Sequence, residues 1–203
     1  ATGAGKTTIV NLLMRFYDAD QGAVRIDGRD VRTMGLHELR KRFGTVFQND
    51  TIFEDTIMEN INMGRELSEE AVMEAVLYGR ASEFVEEKGG ISAQLDIKGA
   101  NLSGGQKQRI LIARALAAKP DILILDDSSS ALDYKTDAAL RKELREHFAE
   151  TTCVIIAQRI SSIMNSDHIM VLEDGQMIGY GTHQELMETC EIYREIGKSQ
   201  MGI

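Results

Sequence analysis

Six residues near the start of the sequence, Thr2-Gly3-Ala4-Gly5-Lys6-Thr7, restrict what this chain can fold into more than any other feature. They match all but the first Gly of G-x-x-x-x-G-K-[ST], and Thr8 follows directly. Glycines at these positions let backbone N–H groups turn inward around phosphate oxygens at the positive end of a helix. Lys6 would then reach the β- and γ-phosphates, and Thr7 would place its hydroxyl on Mg²⁺. A loop of this kind normally follows a buried strand. The sequence opens at Ala1 with neither an initiator Met nor such a strand, so it reads as a domain truncated at its N-terminus. Its sheet would then lack a strand, and the isolated chain is expected to fold poorly.

The apolar run Ile122-Leu123-Ile124-Leu125, between Asp121 and Asp126, reads as a fully buried strand. Val154-Ile155-Ile156 and Ile169-Met170-Val171-Leu172 read the same way, with Glu173-Asp174-Gly175 as a turn. Amphipathic stretches predict helices over 7–16, 68–81 with a capping pattern at Ser68, 103–118, 136–149 and most of 183–200. Buried strands alternating with helices predict an α/β fold with a mostly parallel sheet. The helix-rich stretch from about 51 to 118 suggests an inserted helical subdomain.

The 203 residues suit one domain, 1–203, and no repeat or linker divides them. A net charge of −9 argues against non-specific nucleic-acid binding, which needs a basic face. No apolar stretch approaches the ~20 residues needed to span a bilayer. Of the two cysteines, Cys153 sits in an apolar run and is expected in the core, while Cys190 lies in a polar helical stretch. Neither a disulfide nor a cysteine-held metal is expected.

Two further motifs carry chemistry. Leu123-Ile124-Leu125-Asp126-Asp127 ends an apolar strand in carboxylates, at the edge where α/β folds bind ligands. Asp126 suits coordination of Mg²⁺ through water. Without a phosphate loop upstream, a core strand capped by acidic turn residues would be the better reading. Leu102-Ser103-Gly104-Gly105-Gln106 opens a helix carrying Lys107, Arg109 and Arg114, and its hydroxyl and unhindered amides suit an anion. Alone it would be a bare Gly turn. Placed after a phosphate loop and before the Asp126 strand, it resembles the signature motif of ABC-type ATPases.

From here the resemblance to ABC transporter nucleotide-binding domains, exporter subfamily, covers the chain. Gln48 after Gly44-Thr45-Val46-Phe47 looks like the Q-loop, whose Gln contacts Mg²⁺ or the attacking water. Ser130-Ala131-Leu132-Asp133 looks like the D-loop. Ile52 to Ile61, Arg15-Phe16-Tyr17-Asp18, Ile26-Asp27-Gly28 and Gly181-Thr182-His183 fit the exporter subfamily. The resemblance implies that two such domains sandwich two ATPs with Mg²⁺. Thr2 to Thr8 and Asp126 would serve this chain's own nucleotide. Ser103, Gly104 and Gly105 would serve the partner's, with Gln106 and Asp133 also counted as nucleotide-binding. Transmembrane domains would hold the pair at the cytoplasmic face of the cell membrane and couple its closure to export.

Three departures from the family pattern matter. Where active members usually carry Glu as general base, this chain has Asp127, one methylene shorter. A displacement of roughly 1 Å at a reacting centre can cost ~10²-fold in rate. Where the switch His usually stands, Ile155-Ile156-Ala157-Gln158-Arg159 carries Gln158. Gln can hydrogen-bond a γ-phosphate but cannot shuttle a proton near neutral pH. Before the signature motif, Ala93-Gln94-Leu95-Asp96-Ile97-Lys98-Gly99 replaces a Thr-x-Val-Gly-Glu-x-Gly pattern, removing a charge at Ile97. Asp127 and Gln158 fall in one composite site while the signature motif is intact. That pattern suggests a slow own site in a heterodimeric exporter whose partner site is competent. The alternatives are a homodimer in which Asp127 works as base, a soluble non-transport ABC ATPase, and a regulatory ATP-binding module.

Overall fold

The computed structural model describes residues 3–127 and 131–201. Thr2 of the phosphate loop and Ser130 of the D-loop lie outside the described residues. Along the chain, α1 (Lys6–Leu13) leads to the strands β1 (Arg25–Ile26) and β2 (Arg29–Asp30), then to α2 (Leu36–Lys41) and β3 (Phe43–Val46). The helices α3 (Ile57–Asn62), α4 (Glu69–Tyr78), α5 (Ser82–Glu87) and α6 (Gly104–Leu116) precede β4 (Ile122–Asp126). Then come α7 (Tyr134–His147), β5 (Thr152–Ile156), β6 (Ile169–Glu173), β7 (Gln176–Gly181), α8 (His183–Thr189) and α9 (Glu191–Met201). These elements gather into two compact units. One is formed by the chain up to Leu36 and from Ile155 onward, the other by His37–Val154.

In the His37–Val154 unit, β3 and β4 pair in parallel from Phe43↔Ile122 to Val46↔Leu125, in a sheet of order β3-β4-β5. Leu123, Ile124 and Leu125 are buried, as a strand covered on both faces requires. The helix α6 packs against β3, α3 and α4. Its residues Ile110 to Ala113, Ala115 and Leu116 are all buried, so it forms the centre of this unit. Close approach needs small residues at the crossings. A Cβ on Gly44 would lie 2.6 Å from the Ala115 carbonyl oxygen, and one on Gly79 would lie 3.0 Å from the Ala113 Cβ.

The other unit holds two hairpins, of which the sequence pattern indicates only the turn of the second, at Glu173-Asp174-Gly175. Both β1–β2 and β6–β7 pair antiparallel around an Asp-Gly pair. Asp27 and Gly28 have φ 51° and 77°, Asp174 and Gly175 have φ 48° and 77°. Left-handed conformation at both central residues is what a type I′ hairpin turn demands, and Asp-Gly supplies it at low cost. The core of this unit joins Ile160, Ile169, Leu186, Cys190 and Tyr193.

Three expectations need correction. Val154-Ile155-Ile156 is only half-buried, because β5 borders β4 alone among the described residues. Cys153 on the same strand is exposed rather than in the core, whereas Cys190 is buried. Ile169-Met170-Val171-Leu172 is not fully buried either: Ile169 faces the core while Met170 is 48% exposed. The run belongs to a hairpin whose other face carries Met177 and Tyr180 in the open. A short apolar run cannot distinguish these cases by itself. Most of 183–200 is helical, as expected, divided into α8 and α9 at Cys190, whose backbone turns extended at φ −112° and ψ 105°.

Candidate nucleotide site

The phosphate loop is built from backbone. Gly3 and Gly5 have φ 89° and 97°, conformations that side-chain-bearing residues rarely adopt. Gly5 is the N-cap of α1, no side chain caps the helix, and its first turn carries no acidic residue. By contrast Thr56, Ser68, Ser103, Asp133 and Thr182 each cap their helices with their own side chains. A helix start with no side-chain cap and no local carboxylate fits a phosphate group. Ala4 is buried, and its carbonyl accepts the Gly175 N–H at 3.3 Å, so the β6–β7 turn braces the loop. Lys6 is half-buried at the helix start, while Thr7 and Thr8 are exposed. Gln158 belongs to the same unit and is exposed in the loop after β5.

The remaining site residues belong to the His37–Val154 unit. Because Val46 and Leu125 are in parallel register, Gln48 and Asp126 leave their strands at the same carboxyl edge of the sheet. Gln48 is exposed in a turn closed by Asp50, whose carboxylate accepts the Phe47 N–H at 2.8 Å. Asp126 and Asp127 are half-buried. Asp127 adopts φ 50°, a left-handed conformation that Asp tolerates better than most residues. The carboxylate and amide oxygens of Asp126 and Gln48 are hard donors of the kind Mg²⁺ takes.

Ser103 and Gln106 form a capping box on α6. The Ser103 hydroxyl oxygen accepts the Gln106 N–H at 3.2 Å, and the Gln106 side-chain oxygen accepts the Ser103 N–H at 2.9 Å. The hydroxyl hydrogen of Ser103 is not consumed by this bond and remains able to donate. Ser103 and Gly104 are exposed, and a Cβ on Gly105 would lie 3.2 Å from the Ala131 carbonyl oxygen. The D-loop backbone thus lies against the start of α6. Asp133 spends its carboxylate on Thr136, accepting the backbone N–H at 2.9 Å and the hydroxyl at 2.7 Å. Those bonds hold its carboxyl below the ordinary aspartate value.

The structure adds residues that sequence motifs do not flag. Backbone bonds from Leu95 N–H to Asp55 and from Ile57 N–H to Ala93 join the segment after Gln48 to the segment before the signature motif. Arg109 reaches back from α6 to the Arg80 carbonyl at 2.9 Å, with its guanidinium over the Phe84 ring. Nothing local in the sequence announces these pairings, because the partners are far apart along the chain.

The ABC transporter family matches residues 1–130. An ATP-dependent lipid A-core flippase of Methylobacillus flagellatus is 42% identical over 98% of this chain and 35% of its own length. An ABC transporter ATP-binding protein of Bacillus subtilis, itself uncharacterized, is 43% identical over the whole chain and 35% of its own length. A bacterial Atm1-family ABC exporter with ATP bound superposes with a TM-score of 0.94 at 36% identity, covering 98% of this chain and 35% of that one. The chain belongs to the ABC transporter family and has the fold of its ATPase domain, the part of these exporters whose general activity is ATP hydrolysis. It spans about a third of the length of the relatives it matches.

Proposed function

We propose that this domain binds ATP with Mg²⁺ against a second nucleotide-binding domain and couples that closure to export through transmembrane domains, at the cytoplasmic face of a membrane. The single observation that carries the nucleotide reading is the uncapped first turn of α1 behind two left-handed glycines. In this reading the amides of that turn and the Lys6 ammonium receive the β- and γ-phosphates, while Thr7, Gln48 and Asp126 hold the cation. When bound there, Mg²⁺ would neutralise negative charge on the phosphate oxygens. Ser103, Gly104, Gly105 and Gln106, with Asp133, serve the nucleotide of the partner domain. The helix-rich stretch from about 51 to 118 acts as the subdomain that presents them. Relatives named as lipid A-core flippases favour a lipid as the exported substrate.

Asp127 and Gln158 make this chain's own site slow, and an intact signature motif completes a competent site in a different partner. Support comes from the coincidence of the two changes. Altering base and switch together is far costlier than altering either in a site that must turn over. ATP turnover by the full-length complex carrying Asp127→Asn tests this. Turnover near its starting rate supports the asymmetric pair. A collapse of about 10²-fold or more makes Asp127 the working base and favours a homodimer.

A further inference from the structure

Outside the phosphate loop and the signature helix, one side chain reaches a backbone that the proposed chemistry depends on. Gln200, near the end of α9, puts its amide across the loop that carries Gln158. Its Nε2 donates to the Gln158 carbonyl at 2.8 Å, and its Oε1 accepts the Ile160 N–H at 2.8 Å. A carbonyl on one side of Arg159 and an N–H on the other are the pair that a parallel strand neighbour would engage. The Gln200 amide supplies both complementary groups from a single side chain.

The rest of α9 sets the position of that amide. Tyr193 is buried in the cluster that also holds Ile160. Gln200 stands seven residues further on, two helical turns along the same face. Burial of Ile160 fixes the loop on its C-terminal side, where Ser162 and Ile163 N–H groups bond back to Arg159 and Ile160. On the other side, the Gln200 bond holds the Gln158 carbonyl itself. With its carbonyl held, the Gln158 backbone is restrained, and so is the direction in which its side chain leaves the chain.

We infer that Gln200 is a positioning residue for the nucleotide switch: it holds the Gln158–Ile160 backbone so that the Gln158 amide meets a γ-phosphate. This rests on the reading of Gln158 given above and names what aims it. The consequence is selective. A group that aims a γ-phosphate contact affects binding of a triphosphate and leaves a diphosphate alone, whereas a residue that only steadies the fold affects both.

The test is binding of a non-hydrolysable ATP analogue and of ADP to the complete transporter, at the site built on this chain's Lys6. Gln200→Ala should weaken the analogue about 3- to 10-fold, the effect of losing a neutral hydrogen bond, with ADP unchanged within about 2-fold. Gln200→Glu keeps an acceptor for the Ile160 N–H but turns a second oxygen toward the Gln158 carbonyl, so it should lose the same selectivity. Gln158→Ala should match Gln200→Ala, and the double variant should be no worse than either. Equal losses for analogue and ADP, or additive losses in the double variant, would mean that Gln200 serves only the fold, and the inference falls. If Gln158→Ala weakens the analogue and Gln200→Ala does not, the clamp alone is wrong. If Gln158→Ala is silent, the γ-phosphate reading of Gln158 fails and the clamp falls with it.

Discussion

Arg114 and Asn60 are locked together inside the His37–Val154 unit. The Arg114 Nε donates to the Asn60 carbonyl at 2.6 Å and its Nη2 to the Asn60 Oδ1 at 3.1 Å. Asn60 is 1% exposed and also pairs with both backbone groups of Phe53. A third Arg114 nitrogen reaches the Thr51 carbonyl at 3.0 Å. One side chain on α6 therefore fastens the whole stretch that follows Gln48.

Replacing this guanidinium takes the side-chain donor from the carbonyl of the buried Asn60, and leaving a buried acceptor unpaired is costlier than the bond is worth. Arg114→Ala should lose about 3 kcal/mol of stability, and Arg114→Lys, with a point charge in place of a planar fork, about 2. Urea unfolding of the full-length protein reads both. A loss under about 0.5 kcal/mol for the alanine variant would show that the network contributes little.

Gly44 sits where β3 passes over the end of α6. An added methyl at this position would press on the Ala115 carbonyl oxygen at 2.6 Å and the Pro120 ring carbon at 2.8 Å. Neither the helix backbone nor a proline ring yields easily. Gly44→Ala should therefore destabilise by about 1–3 kcal/mol, as overpacking does. A variant that melts at the parental temperature would mean that the sheet can shift off α6.

Asp30 caps the turn after β2 and is gripped by Arg32, whose Nη2 lies 2.8 Å from its Oδ2 and whose N–H lies 2.9 Å from its Oδ1. The Arg32 side chain first, then the Arg32 backbone, push its pKa from 3.8 down to about 2. A depressed carboxylate contributes stability that is complete above its unfolded value and is lost as pH falls through the folded one. The stability gap between the parent and Arg32→Ala should thus be constant above 3.8 and close as pH falls toward 2. In an NMR titration Arg32→Ala should bring the Asp30 midpoint back up. A midpoint unmoved by the substitution would assign the shift to something else.

If Asp127 and Gln158 are what slow this chain's site, restoring both residue types should speed it. Asp127→Glu with Gln158→His, in a complex whose partner site is disabled, should raise turnover at least ~10-fold over the disabled parent, a modest share of what general base catalysis supplies. Asp127→Glu alone should do less, because the left-handed backbone at this position, φ 50°, suits Asp better than Glu. No gain from the pair would count against these two residues as what slows the site.

The elements that carry the candidate site were legible in the sequence where their signal is local. Gly5 and Lys6, the Asp126 strand and the Ser103 helix start are each short segments with their own physical logic, and the structure puts each at the kind of element expected. Burial was harder to read. Met170 in an apolar run and Cys153 beside Val154 both looked internal, yet both depend on what lies beside the strand, which a linear pattern does not encode. Long-range polar bonds were the least legible. Nothing around Gln200 or Asn60 indicates partners 42 and 54 residues away.

The brace between Ala4 and Gly175 has a temporal side. A phosphate loop at the start of this sequence leans on a hairpin turn about 170 residues later, which a ribosome elongating at 5–20 residues per second delivers roughly 10–30 s afterwards. Until then the Ala4 carbonyl lacks this partner. Nucleotide binding at this loop, as proposed above, would draw on the brace only in a chain already synthesised past Gly175.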